Sequence, residues 1–129
     1  MTLADLAALA TCQEELRQAR SLLLESLELR RQLGDRWSLA HSLEMTGRLA
    51  LLNGSVEQAA RLWGAAAKLR ADMGAPMTAR DERHFLGDHR VAVEQLGDAR
   101  YEAAFAEGQA LALEEAIACA QQTLEVEGS

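Results

Sequence analysis

The sequence predicts an all-α domain, and three observations carry that reading. Apolar residues make up 49% of the 129-residue chain while aromatics supply only 4%, so the hydrophobic mass is chiefly Leu and Ala, the strong helix formers. The stretch from Gly54 to Gly74 sets Val56, Ala59, Ala60, Trp63, Ala66, Ala67 and Leu69 at three- and four-residue spacing, a stripe along one side of a helix. Self-comparison at a shift of about 40 residues lays Gln18 and Ala19 on Gln58 and Ala59, Leu22 and Leu23 on Leu62 and Trp63, and Gly34 on Gly74. A repeat of helical hairpins follows from that echo.

Taken in order, residues from Thr2 to Gln13 read as a short helix and Glu15 to Leu33 as a longer one that ends at Gly34-Asp35. Trp37 to Asn53 and Ser55 to Met73 form a second hairpin with Gly54 in its turn. Ser55 caps the start of its second helix, and Gly74 with Pro76 ends it. Thr78, with Asp81 and Glu82 behind it, opens a further helix that runs to about Leu96. Gly97-Asp98 begins a short one, Ala99 to Glu107, and a last helix spans about Leu113 to Leu124. The expectation is therefore about seven helices in one domain, divided into a first repeat (1–34), a second (35–75) and an irregular third unit with a cap (76–129).

Charge and motifs narrow the function classes. A net charge of −7, with Lys68 as the sole lysine, argues against direct nucleic-acid binding, which needs a basic face. Cys12 and Cys119 lie inside apolar helical patterns and read as reduced thiols of the core or groove. The N-terminal run has no basic flank or small-residue cleavage pattern, and no apolar run approaches a membrane span, so a cytoplasmic location without a membrane partner is expected. No phosphate-binding glycine loop, GxSxG, HExxH or CxxC occurs, and a non-enzymatic protein with no cofactor is expected. Asp81, His84 and Asp88 share one helical face and could in principle bind a divalent metal or do acid/base work; solvated ion pairing with Arg80, Arg83 and Arg90 is the simpler expectation.

Leu43, Thr46-Gly47 and Ala50 on one helix, followed by Ala59 and Trp63 on the next, resemble the tetratricopeptide pattern of alternating small and large packing positions. In that resemblance Gly47 permits close approach of the paired helix, Ala59 sits at the crossing and Trp63 fills the gap between neighbouring hairpins. Gly54 and Gly74 mark the turns. The first unit carries Leu3, Ala7, Ala10, Ala19 and Leu23 in the same roles, with Glu14 where a turn glycine would stand. The run from Ala60 to Met77, together with Tyr101, Ala104, Phe105, Gly108, Leu111, Leu113 and Ala116, resembles the C-terminal helical regions of bacterial LuxR-type transcriptional regulators and signalling ATPases of the STAND type.

The resemblance implies a tetratricopeptide-like α-solenoid that serves as a protein-binding or regulatory module. Its concave groove would be lined by His41, Glu44, Met45, Arg48 and Leu52, with the partner a protein or peptide. A domain that senses a small effector through a pocket at Met45 and Trp63 is the second expectation; a metal-dependent enzyme built on Asp81, His84 and Asp88 is a distant third. Leu3, Leu6 and Leu9 form a stripe on the first helix with no preceding hairpin to cover it, so self-association through that helix is also expected.

Overall fold

The computed structural model describes the backbone of residues 3–127 and the side chains of residues 17–125. Six helices occupy the described residues: α1 (Leu3–Leu33), α2 (Arg36–Leu52), α3 (Val56–Met73), α4 (Ala79–Leu96), α5 (Asp98–Gln109) and α6 (Leu113–Glu127). The expected count of about seven is corrected at the N-terminus, where one helix of 31 residues replaces a hairpin. The reason is local. Cys12-Gln13-Glu14-Glu15 contains neither a glycine to turn the chain left-handed nor a proline to break it, so helix propagation runs through.

The turn chemistry of the echo is visible in the backbone. Gly34, Gly54 and Gly74 all take positive φ, at 69°, 87° and 65°. In each case the residue after the glycine donates its N–H to a carbonyl five residues back: Asp35 to Arg30, Ser55 to Ala50 and Ala75 to Arg70. These are the closing bonds of Schellman caps, which satisfy carbonyls that a helix end leaves without partners. Asp35 then caps α2 by accepting from the Ser38 N–H at 3.2 Å, and the Thr78 hydroxyl accepts from the Asp81 N–H at 3.2 Å to start α4.

Helix α3 is the shared element of two cores. On one side Leu62, Ala66 and Leu69 meet Leu27 of α1, Leu39 and Leu43 of α2, and Ile117, Ala120 and Leu124 of α6. On the other side Ala59, Ala60 and Trp63 meet Ala50 of α2, Ala92 of α4, and Tyr101 and Ala104 of α5. A single helix can serve both because its stripe of small residues is wide. Each fully buried Leu or Ile in these clusters contributes about 1.5–3 kcal/mol from removal of apolar surface from water.

Two departures from a simple row of hairpins matter. Helix α3 packs more extensively on α5 than on α4, and α6 returns to cover α1, α2 and α3. The α3/α5 crossing is close because glycine meets backbone on both helices. A Cβ on Gly64 would lie 2.0 Å from the Phe105 carbonyl oxygen, and one on Gly108 would lie 1.8 Å from that of Arg61. Gly108, one residue beyond the Glu107 end expected from sequence, lies inside α5 at this crossing. Among the described residues no helix is long and apolar enough to cross a membrane.

Candidate functional site

Two helices present matching faces. On α2, His41, Glu44, Met45 and Arg48 fall at i, i+3, i+4 and i+7; on α4, Asp81, His84, Phe85 and Asp88 repeat that spacing. The two rows line opposite walls of one cleft, with Trp63 and Met77 completing it. The sequence thus supplied the α2 row and, as an unrelated candidate, Asp81, His84 and Asp88 of the α4 row; the fold brings them together and adds Phe85. Leu52, assigned to the same groove, does not line this cleft and stands 64% exposed.

Most of the charge in the cleft is already matched. Glu44 is buried and accepts from Arg70 in a two-point pair, at 2.5 Å from Nε and 2.8 Å from Nη2. That hydrogen bond holds the Arg70 guanidinium above its ordinary value against the opposing effect of burial. Arg70 also donates to the Ala75 carbonyl at 3.2 Å and lies 6.0 Å from the Trp37 ring centre, which gives the exposed Trp37 a cationic neighbour. Arg48 faces Asp88 at 3.6 Å. Burial pushes the Asp88 carboxyl up, while Arg48 and His84 pull it down.

Trp63 forms the back of the cleft. Its indole N–H donates to the Glu44 carbonyl of α2 at 3.2 Å, and on the same helix the buried Thr46 hydroxyl donates to the Ser42 carbonyl. Gly47 is the residue that lets the indole in: a Cβ there would lie 2.5 Å from Trp63 Nε1. The front of the same ring meets Phe85 edge-on, with centres 5.3 Å apart. Ala59 is fully buried one turn earlier, in the same core cluster.

The cleft measures about 70 Å³. That is room for a few water molecules, well below the roughly 300–1,000 Å³ of sites that take an organic ligand. Asp81, His84 and Asp88 share the wall, yet among the described residues no three His, Cys, Asp or Glu side chains converge as metal ligands would. Cys119 is half-buried on α6, where Gln58 donates to its sulfur and to the Thr123 hydroxyl; burial pushes its thiol up. Such a thiol is less nucleophilic than a free one at neutral pH. Cys12, and the Leu3, Leu6 and Leu9 stripe, lie outside the residues whose side chains are described.

A second surface escaped the sequence reading. Leu22, Leu29 and Leu33 lie seven and four residues apart, hence on one face of α1, and are 64%, 56% and 71% exposed. At 1.5 Å per residue α1 is about 46 Å long against about 27 Å for α3. Among the described residues, α2, α3 and α6 pack on the other side of α1, where Leu27 is fully buried. The signal was present in the leucine spacing, but the repeat echo lays Leu22 on Leu62, which is buried. No protein-family model, curated protein sequence or solved structure gives a significant match to this chain.

Proposed function

We propose that this chain is a non-enzymatic, tetratricopeptide-like interaction module of a bacterial regulatory or signalling protein, and that the outer face of α1 is where it meets a protein partner. The α2 groove is the weaker site, because Glu44 and Arg48 are engaged by Arg70 and Asp88 and so offer little to an incoming peptide. The observation that carries the reading is the stripe of Leu22, Leu29 and Leu33, which stands in solvent on the longest helix of the fold. A cytoplasmic setting, no membrane or nucleic-acid partner and no cofactor belong to the same reading.

The simplest occupant is a second copy, since two such stripes laid side by side would cover each other. Size-exclusion chromatography with light scattering, run across a concentration series, tests this. Wild type should associate as concentration rises, and a Leu22→Glu, Leu29→Glu, Leu33→Glu variant should remain monomeric with unchanged helix content. Wild type that stays strictly monomeric at high concentration would overturn self-association and leave the face to a different protein.

A further inference from the structure

Helix α4 carries a glycine for which the fold has no use. Gly47, Gly64 and Gly108 also lie inside helices, and a Cβ on each would collide with a neighbour: the Trp63 ring, the Phe105 carbonyl and the Arg61 carbonyl. Gly34, Gly54, Gly74 and Gly97 take positive φ at helix ends, where a side chain would be strained. Gly87 has neither reason. It sits in the middle of α4, exposed, and nothing lies within 4 Å of its Cβ position. Glycine inside a helix destabilises it relative to alanine, and a residue that breaks a local rule with no gain inside the fold points to a gain outside it.

The surface around Gly87 is basic and partly apolar. Arg80 and Arg83 precede it by seven and four residues and Arg90 follows it by three, a spacing that puts all of them on its side of α4. Ala92, the buried residue of this helix, falls on the far side. All three arginines are exposed, and the ion pairs expected for them from sequence do not form among the described residues. Elsewhere Arg31, Arg48, Arg61, Arg70 and Arg100 each face a carboxylate. Leu86 and Val91 flank the basic row, 53% and 41% exposed. Against three cations stands one carboxylate, Glu94, two turns beyond Gly87. In a chain of net charge −7 this face therefore has the opposite sign to the whole.

We infer that the outer face of α4 docks an acidic amphipathic helix of a partner protein, which crosses α4 at Gly87. The crossing is of the kind that α3 and α5 make with each other, where a missing Cβ admits the backbone of the opposing helix. Carboxylates of the partner pair with Arg80, Arg83 and Arg90, and its apolar side chains cover Leu86 and Val91. An anionic membrane would also attract the arginines, but a glycine at the centre gives lipid less apolar contact than any larger residue would. Close approach of a backbone is what it favours. The face is distinct from the leucine stripe of α1, and docking here does not depend on association there.

Fluorescence anisotropy of a labelled peptide titrated with the full chain tests the inference. The probe is an amphipathic peptide of Leu, Ala and Glu, about 20 residues long so that it is helical alone, with alanines along the middle of its apolar face. Its counterpart with Lys in place of Glu, and phosphatidylserine vesicles, serve as comparisons. The acidic peptide should bind, more weakly as salt is added, and the basic one should not. Arg80→Ser with Arg83→Ser and Arg90→Ser should lower its affinity by about tenfold, whereas the Leu22→Glu, Leu29→Glu, Leu33→Glu variant should bind as wild type does. Gly87→Leu keeps every charge and places a good helix former in open space, so the fold should be at least as stable while affinity again falls by about tenfold. Equal binding by the Gly87→Leu protein would overturn the close crossing. No binding of the acidic peptide, or binding to the vesicles alone, would overturn the assignment as a whole.

Discussion

Substituting alanine for Gly108 adds one methyl carbon where α5 crosses α3, and the backbone fixes where that carbon goes. It would lie 1.8 Å from the Arg61 carbonyl oxygen, where ordinary contact begins at 3.4 Å. The helices must therefore part by roughly 1.5 Å, and a gap of that size forfeits much of the dispersion energy along the interface. No rotamer change relieves the clash because the opposing atom is backbone. Overpacking costs about 1–3 kcal/mol where side chains can adjust, so this site belongs at or above the top of that range. Alanine's helix propensity returns about 1 kcal/mol. The expected net loss for Gly108→Ala is about 2 kcal/mol or more, with a similar loss for Gly64→Ala, whose added carbon would lie 2.0 Å from the Phe105 oxygen. Gly87 supplies the control: it is also helical, but nothing lies within 4 Å of its Cβ position, so Gly87→Ala should gain about 0.5–1 kcal/mol. Thermal and urea unfolding followed by far-ultraviolet circular dichroism should separate the two variants by opposite signs, at roughly 3–6 °C per kcal/mol. A Gly108→Ala protein as stable as its parent would refute the close crossing.

The Glu44–Arg70 pair should show strong coupling. Arg70→Met alone leaves a buried carboxylate and should cost about 3–5 kcal/mol, whereas Glu44→Leu with Arg70→Met should recover most of it; urea unfolding of wild type, both single variants and the double variant measures the coupling. Tyr101 is the chain's only tyrosine and burial pushes its phenol up to about 12 from 10.0, so its ultraviolet titration should begin late in the folded protein and near 10 after unfolding. The sign follows: stability from the neutral phenol is fully present below pH 10 and is lost as pH rises through about 12, and Tyr101→Phe should remove that dependence. Asp35 behaves in the opposite sense. Its hydrogen bonds with Ser38 hold the carboxyl below its ordinary value, so its contribution is present above pH 3.8 and is lost as pH falls below it; Asp35→Asn should keep the cap but flatten acid unfolding profiles in that window.

The helical class and the turns were legible because they depend on neighbours in sequence. Glycine at 34, 54 and 74 forces the same left-handed residue into the same capping pattern, and the echo of about 40 residues is a consequence of that local chemistry. The small-meets-large pattern of Gly47 and Trp63 was equally readable, since the indole needs the space a missing side chain leaves. The extra helix in the first unit came from extending the repeat over residues that lack its turn glycine. What stayed hidden depends on long-range pairing. Nothing in the spacing of Asp81, His84 and Asp88 says that α2 will stand opposite, nor that Gly64 will meet the Phe105 backbone and Gly108 that of Arg61. Nor does the spacing on α3 say that Arg70 will be buried against Glu44 on the paired helix.

Helix α4 links these points, and its burial leads to one more expectation. Ala92 is its only buried residue, against ten on α3, although α4 supplies a wall of the α2 cleft. The forces that hold it are few: the Trp63–Phe85 edge contact, the Arg48–Asp88 pair at 3.6 Å, and Val93 and Leu96 packed on the second core. A helix with little buried apolar surface opens at lower free energy than the domain as a whole. Amide hydrogen exchange should therefore proceed much faster along Ala79–Leu96 than along Val56–Met73 under native conditions. Protection of α4 equal to that of α3 in the free protein would contradict this account, because it would mean that something other than the contacts described here holds α4 in place.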